Sequence, residues 1–232
     1  MKTITSIMIS IFGNKNLNPD SELITYFMSE FKKISSLDFL PNIANSPAID
    51  ISTGNISQVS NLSFRTSDGL VKIINNGNRI DFVSLFTDQT QDIIDERFLQ
   101  GVKILQTILS KTNITANRLA LNIDLYCKDY DKEKLVFKPL PFYSGRALKE
   151  FTSRINSEYE IDVLEKNEKL NVITSFVIND EKNGGIDILR CHLDINTVAQ
   201  NSDFRFKSEE LADYILKTKI LSNSLISQIN GD

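Results

Sequence analysis

Histidine occurs once in the 232 residues, as His192, and cysteine twice, as Cys127 and Cys191. These are the side chains best suited to nucleophilic chemistry, in which a thiolate attacks and an imidazole takes the proton. Cys191 and His192 are neighbours on a strand-like stretch, and neighbouring strand residues point to opposite faces. They cannot pair with each other, so a Cys-His couple would have to bring in Cys127 from a second strand. It would also need an exposed, electropositive setting to lower the thiol pKa. The plainer reading is two cysteines buried as small hydrophobes and a half-exposed strand histidine, and it is favoured. A metal site would need further ligands: Asp187 and Asp194 are close in sequence, and Asp124 could be brought close by folding. There is no Cys-x-x-Cys or His-x-x-x-His spacing, so the tetrahedral zinc pattern is missing and no metal or cofactor is expected. Asp129, Asp131 and Glu133 alternate with lysines and read as a solvated loop.

Phosphate cradles and strained serine elbows are missing too. Gly69, Gly77 and Gly145 stand alone, without Gly-x-Gly-x-x-Gly or Gly-Lys-Ser/Thr, and no Gly-x-Ser-x-Gly occurs. The most distinctive loop is Phe142-Tyr143-Ser144-Gly145-Arg146, preceded by Pro139 and Pro141. Aromatic residues with an arginine on a loop suit a contact surface, so Phe142, Tyr143 and Arg146 are candidate contact residues. The favoured reading is an aromatic plug over the sheet end.

Bulk properties narrow the partners. Hydrophobic residues make up 41% and charged residues 24%, ordinary for a globular protein. A chain this long buries roughly 70% or more of its unfolded surface, so it needs no disulfide framework. Net charge is −4. The first 112 residues carry 10 basic and 11 acidic side chains and the rest carry 16 and 19, so neither part has the basic footprint of a nucleic-acid or membrane binder. Lys2 to Phe12 alternates apolar and polar residues rather than forming a secretion h-region, and no run of 18 apolar residues occurs. The expectation is a soluble protein of a reduced, cytoplasmic compartment, with no membrane contact.

The elements that would position any site can be read from periodicity. Ile7, Ile9 and Ile11 alternate with polar residues, as a half-buried strand does. Asn18-Pro19-Asp20 predicts a helix start with Asn18 as N-cap, followed by the stripe Leu23, Ile24, Phe27, Met28, Phe31 and Ile34. Pro41, Pro47 and Gly54 mark a looser segment with one or two short strands. A meander follows: a strand over 56–64, a type I′ turn at Asp68-Gly69, a strand over 70–74, a turn at Asn76-Gly77 and a strand over 79–86. Asp88 with Gln91 predicts a helix cap, and Ile94, Phe98, Leu105 and Leu109 give that helix its apolar face. Gly101 within it points to close packing.

The remainder repeats this order. Leu119, Leu121, Ile123, Leu125 and Cys127 make the clearest strand. Leu148, Phe151 and Ile155 predict a short helix. Strands over 159–164, 170–178 and 186–195 follow, the last two joined through Gly184-Gly185. A C-terminal helix capped by Ser208 carries Leu211, Tyr214, Ile215, Leu221 and Leu225, and Gly231 lies past its end. The fold class is therefore α+β: antiparallel β-meanders backed by helices, on a pseudo-duplicated strand–helix–meander–helix plan over residues 1–112 and 113–232. Two outcomes suit it, one continuous sheet or two packed sheets.

This order is similar to TATA-binding-protein-like and helix-grip folds, where a curved antiparallel sheet is backed by a long helix. The run from Asp68-Gly69 through the meander, the helix near Asp92 to Leu109 and the strand from Arg118 to Leu125 also resembles an uncharacterised, sporadically distributed bacterial family found near mobile or defence genes. That resemblance implies no known activity. The leading expectation is a non-catalytic binding or interaction protein with a protein or peptide partner, as a homodimer or within a bacterial or phage defence assembly. One alternative is an enzyme with a site around Cys127, Cys191 and His192. Another is single-stranded nucleic-acid binding on the sheet, for which Phe64 beside Arg65 is the suggestive neighbourhood; the acidic balance argues against it.

Overall fold

Nine strands carry the chain's period-two patterns into a single antiparallel sheet. The computed structural model describes residues 2–49, 54, 56–87, 89–128, 130–145, 149–179 and 188–229. In chain order the elements are β1 (Lys2–Gly13), α1 (Ser21–Ile34), β2 (Phe39–Ile49), β3 (Ile56–Thr66), β4 (Val71–Asn76), β5 (Arg79–Leu85), α2 (Gln91–Thr112), β6 (Ala116–Cys127), β7 (Glu150–Val163), β8 (Lys166–Asn179), β9 (Leu189–Thr197) and α3 (Ser208–Gln228). A π-helical turn at Glu133–Phe137 and a single 3-10 turn at Pro141–Tyr143 lie between β6 and β7. The fold class is α+β, as the sequence predicts.

The strand order is β2-β3-β4-β5-β1-β6-β9-β8-β7. β1 and β6, the first strands of the two halves, pair at the centre, and each is flanked by the last strand of its own half, β5 and β9. Of the two arrangements the sequence allows, the continuous sheet is the observed one. All three helices pack in one layer, α1 on α2 and α2 on α3. Beneath them lie Ile7, Ile9 and Ile11 of β1, Leu119, Leu121 and Ile123 of β6, and Leu193 and Ile195 of β9, all buried. Phe27 and Phe31 of α1 stack on each other and meet Phe64 and Phe39 edge-on, with centroids 5.2 to 6.1 Å apart. Tyr214 of α3 is fully buried and its hydroxyl donates to the Leu119 and Ile195 carbonyls at 3.2 and 2.8 Å, tying α3 to β6 and β9.

Several local expectations are corrected. The N-cap of α1 is Asp20, not Asn18: Asp20 is extended and its carboxylate accepts the Leu23 N–H at 2.9 Å, which fills one of the free N-terminal donors. Thr90 stands at the N-cap of α2, while Asp88 lies outside the described residues. α3 begins at Ser208 with Lys207 as N-cap, whose N–H donates to Glu210 Oε2 at 3.0 Å. At the first hairpin Gly69 alone takes positive φ, at 70°, so the turn is not type I′. Asp68 instead accepts Leu70 N–H and Thr66 Oγ1–H, an Asx-type arrangement. The proline-bearing segment is one strand, β2, at the sheet edge, where Pro41 and Pro47 need not donate to a ladder.

The short helix predicted from Leu148, Phe151 and Ile155 is not formed. Phe151 and Ile155 belong to β7, which pairs with β8 in unbroken register from Glu150↔Asn179 to Val163↔Lys166. Their four-residue spacing is also an even spacing, so it places both on one face of a strand. Leu148, Gly184, Gly185 and Gly231 lie outside the described residues.

Candidate site on the helix-free face of the sheet

Alternation that buries Ile7, Ile9 and Ile11 under the helices puts Ser6, Met8, Ser10 and Phe12 on the opposite face. The same phase places Arg118, Asn122, Asp124 and Tyr126 of β6 and Arg190, His192, Asp194 and Asn196 of β9 beside them. No helix covers this face among the described residues.

A β-bulge at Thr5 sets the first cluster. The register runs Ile4↔Leu125 and then Ser6↔Asp124, so the extra residue re-aims β1 and brings Ser6 beside the carboxylate. Thr5 Oγ1–H donates to the Asp124 carbonyl at 3.2 Å. On the other side the β6–β9 register places His192 directly opposite Asp124. His192 Nδ1 meets Asp124 Oδ1 at 2.7 Å, and Ser6 Oγ–H donates to Asp124 Oδ2 at 2.6 Å. The hydrogen bond that His192 makes to the Asp124 carboxylate holds the imidazole above its ordinary pKa. In return His192 holds the Asp124 carboxyl below the usual range, with Ser6 adding to the effect. The three line a groove of about 680 Å³, shared with Tyr126, Ser175 and Arg190.

This arrangement fixes the ring orientation of His192 and leaves Nε2 for whatever enters the groove. It does not activate a nucleophile. The carboxylate stands between serine and histidine, so Ser6 Oγ–H donates its hydrogen bond to Asp124 rather than to an imidazole, unlike the order a hydrolytic triad needs.

The second cluster joins β5, β1, β6 and β9. The Phe12 ring lies between two guanidinium groups, Arg79 at 5.3 Å and Arg118 at 5.0 Å from its centroid. Arg79 Nε–H donates to Asp81 at 2.8 Å and its Nη2–H to Ser10 at 3.4 Å. Arg118 Nη2–H donates to Asn196 Oδ1 at 2.8 Å, and Asn196 in turn donates to Asp194 at 3.0 Å. Ser10 and Asn196 are buried without any helix above them, because these long arginines fold over them. Sequence reasoning missed this cluster, yet its signal was present: Phe12 is in phase with Ser6 and Ser10, not with the isoleucines.

The candidates drawn from sequence fare unevenly. Asp124 does approach His192. Cys127 and Cys191 do not: both are free, buried and on the helix-covered face, away from His192. Burial pushes the Cys191 thiol up to about 12, and burial raises Cys127 as well, the reverse of what a nucleophile needs. Phe64 is buried against Phe27 and Phe31 and offers no stacking surface. Phe142 is 73% exposed, so it is not a plug. Arg146, Asp129, Asp187 and the Tyr143 side chain lie outside what the structure describes. Among the described residues no group of three or more His, Cys, Asp or Glu side chains could hold a metal ion, and no helix is long and apolar enough to cross a membrane.

No family model matches the chain, and no curated protein does. Among solved structures, a rolling circle replication initiator protein from Geobacillus stearothermophilus is similar at 10% identity, over 98% of this chain and 84% of that one, with a TM-score of 0.36. A likeness of that size carries no argument about family, fold or activity.

Proposed function

We propose that the chain is a non-catalytic binding protein whose helix-free sheet face receives a protein or peptide partner. The carrying observation is that the side chains of this face are held in place by hydrogen bonds to one another. Asp124 is held by Ser6 and His192, Arg79 by Asp81 and Ser10, and Arg118 through one bond to Asn196. A surface fixed in this way loses little conformational entropy when it is covered. Acidic and basic groups alternate across it, and the half-buried Met8, Val83 and Val177 lie between them. Mixed charge around apolar contacts suits a protein surface better than a polyanion. A second copy of this chain is the simplest such partner, and the resemblance of its central segment extends the proposal to a bacterial or phage defence assembly.

The test combines sedimentation of the purified chain with affinity capture from its native host. Each is run for the wild type and for a Val83→Glu, Val177→Glu double variant. The variant is expected to keep its circular dichroism spectrum and melting point while losing self-association or the captured partner. Retention of the same partner by the variant, or a wild type that stays monomeric and captures nothing, sinks the proposal.

One observation favours an enzyme instead: the 2.7 Å His192–Asp124 contact in a groove, a geometry suited to general acid–base work. If His192→Ala abolishes a turnover found by substrate screening while leaving partner binding intact, that second reading replaces the first.

A further inference from the structure

β3 and β4 are hydrogen-bonded neighbours only at Phe64↔Ile73 and Arg65↔Lys72. Beyond that point the strands part. The Asn75 N–H donates to Ser63 Oγ at 3.2 Å instead of to a backbone carbonyl. The Leu62 N–H and Asn75 Nδ2–H both donate to the carbonyl of Leu17, in the β1–α1 connection, at 3.1 and 2.8 Å. Buried Leu17 thus closes the gap, while the helix-free side opens as a groove of about 260 Å³.

Three features of this groove are costly unless something binds there. First, Arg65 and Lys72 are direct cross-strand partners on one face, and like charges so placed repel. Second, neither has an ion-pair partner among the described residues, and no carboxylate lines the groove. Third, Asn61, on the same strand face as Arg65, is only 9% exposed and its Oδ1 has no hydrogen-bond partner. A buried acceptor left unpaired is unfavourable, and native structures tolerate few of them.

We propose that this groove binds a nucleotide: a phosphate held by Arg65 and Lys72, with its sugar or base against the carboxamides of Asn42, Asn61 and Asn76 and the hydroxyl of Ser63. A guanidinium beside an ammonium meets phosphate oxygens with charge-assisted bonds. A bare inorganic anion satisfies those cations but brings few donors for the Asn61 oxygen. A nucleotide brings hydroxyl, amino and imino donors, and asparagine side chains pair with base edges in two-point contacts. The same chemistry is offered by a free nucleotide and by a nucleotide within a single strand. The site is separate from the His192 groove; it borders the protein-binding surface proposed above, since Lys72 lies opposite Val83, but does not depend on that proposal.

The experiment is calorimetric titration of the whole chain with four probes: inorganic phosphate, a mixture of the four ribonucleoside monophosphates, a mixture of the four triphosphates, and a mixed-sequence single-stranded 12-mer. Binding of mono- or triphosphates at least tenfold tighter than phosphate is the expected result and assigns a free nucleotide. Binding of the 12-mer alone also supports the site and assigns the strand as source. In either case Arg65→Gln with Lys72→Gln is expected to weaken binding at least tenfold. Asn61→Leu is expected to abolish it without lowering the melting temperature, since that change removes an unpaired buried acceptor. Val177→Glu alone, on β8 and far from β3 and β4 in the strand order, is expected to bind nucleotide normally, which separates failure here from failure of the protein-partner proposal. Absence of binding by every probe at millimolar concentration, phosphate as tight as nucleotide, or unchanged binding by the Arg65/Lys72 variant overturns the assignment.

Discussion

Gly101, midway along α2, lies against the ring of Phe82 on β5: a Cβ on Gly101 would stand 2.5 Å from Cδ1 and 2.6 Å from Cε1. Both residues are buried, so neither can swing into solvent. In an open helix Gly→Ala gains about 1 kcal/mol. Here the overlap wins, because overpacking a core costs about 1–3 kcal/mol. Gly101→Ala is therefore expected to lower the denaturant midpoint. Adding Phe82→Leu is expected to recover part of the loss, a non-additivity that a purely local helix effect lacks.

Arg205 and Glu168 form the most enclosed ion pair described in the chain. Two parallel bonds of 2.7 Å join Nε to Oε1 and Nη2 to Oε2, Nη1–H donates to the Asn117 carbonyl at 2.7 Å, and the guanidinium lies 4.2 Å from the Phe206 ring centroid. The pair fastens the lead-in to α3 onto β8 and β6. Removing one partner strands the other charge, at a cost of about 3–5 kcal/mol. Urea unfolding is expected to show Glu168→Ala and Arg205→Ala each losing that order of stability, while Glu168→Leu with Arg205→Met loses clearly less. Equal losses for the single and double variants would refute the argument.

How much of this was readable beforehand depends on the range of the interactions. β1 and β6 announce themselves because one face of each is fully buried, so Ile7, Ile9 and Ile11, or Leu119, Leu121 and Ile123, alternate without exception. β7 lies at the sheet edge and is exposed on both faces over much of its length, so burial imposes no alternation, and Phe151 and Ile155 mimic a helix. The Arg65↔Lys72 pair was accessible, since the two residues sit across a short hairpin. For Asp124 and His192 the sequence offers only that folding could bring them close: they are 68 residues apart, and the strand order and register decide the contact. The arginine clamp on Phe12 has the same non-local origin.

Both cysteines are buried on the helix-covered face, so their reactivity reports on that burial. Burial pushes the Cys191 thiol up to about 12 and raises that of Cys127 as well, which disfavours the thiolate in both. A chromogenic thiol reagent at pH 8 is expected to leave both unmodified in the native protein and to label both after denaturation. Rapid stoichiometric labelling of either native cysteine contradicts the burial described above.

The β7–β8 hairpin turns on Leu164 and Glu165, with φ of 44° and 66°. Two non-glycine residues in the left-handed region are strained, and a two-residue turn of this hand prefers Asn-Gly. The turn is held by α3: Leu164 N–H donates to Asp213 at 2.8 Å, and Lys217 reaches the Asp162 carbonyl. Leu164→Asn with Glu165→Gly is expected to raise stability by about 1 kcal/mol, visible as a higher melting temperature. An unchanged or lower value would mean that those α3 contacts already relieve the strain.

His192 and Asp124 give the fold a pH signature whose sign can be worked out. Asp124 is shifted down, so its stabilisation is present above the unfolded carboxylate pKa of about 3.9 and fades as pH falls through the lower folded value. His192 is shifted up, so its stabilisation is complete below the unfolded imidazole pKa of about 6.5 and fades as pH rises through the higher folded value. The pair therefore contributes most between about pH 4 and 6.5. Both side chains are about half exposed, which limits the contribution to under ~1 kcal/mol. Melting curves of His192→Gln against wild type are expected to differ most near pH 5–6 and to converge by pH 9. Because His192 is the only histidine, its ring protons can be titrated by NMR without assignment. Their midpoint is expected above 6.5 in the wild type and lower in Asp124→Asn. A midpoint that Asp124→Asn leaves unmoved would remove the carboxylate as the cause, and with it the reason for placing this pair at the centre of the helix-free face.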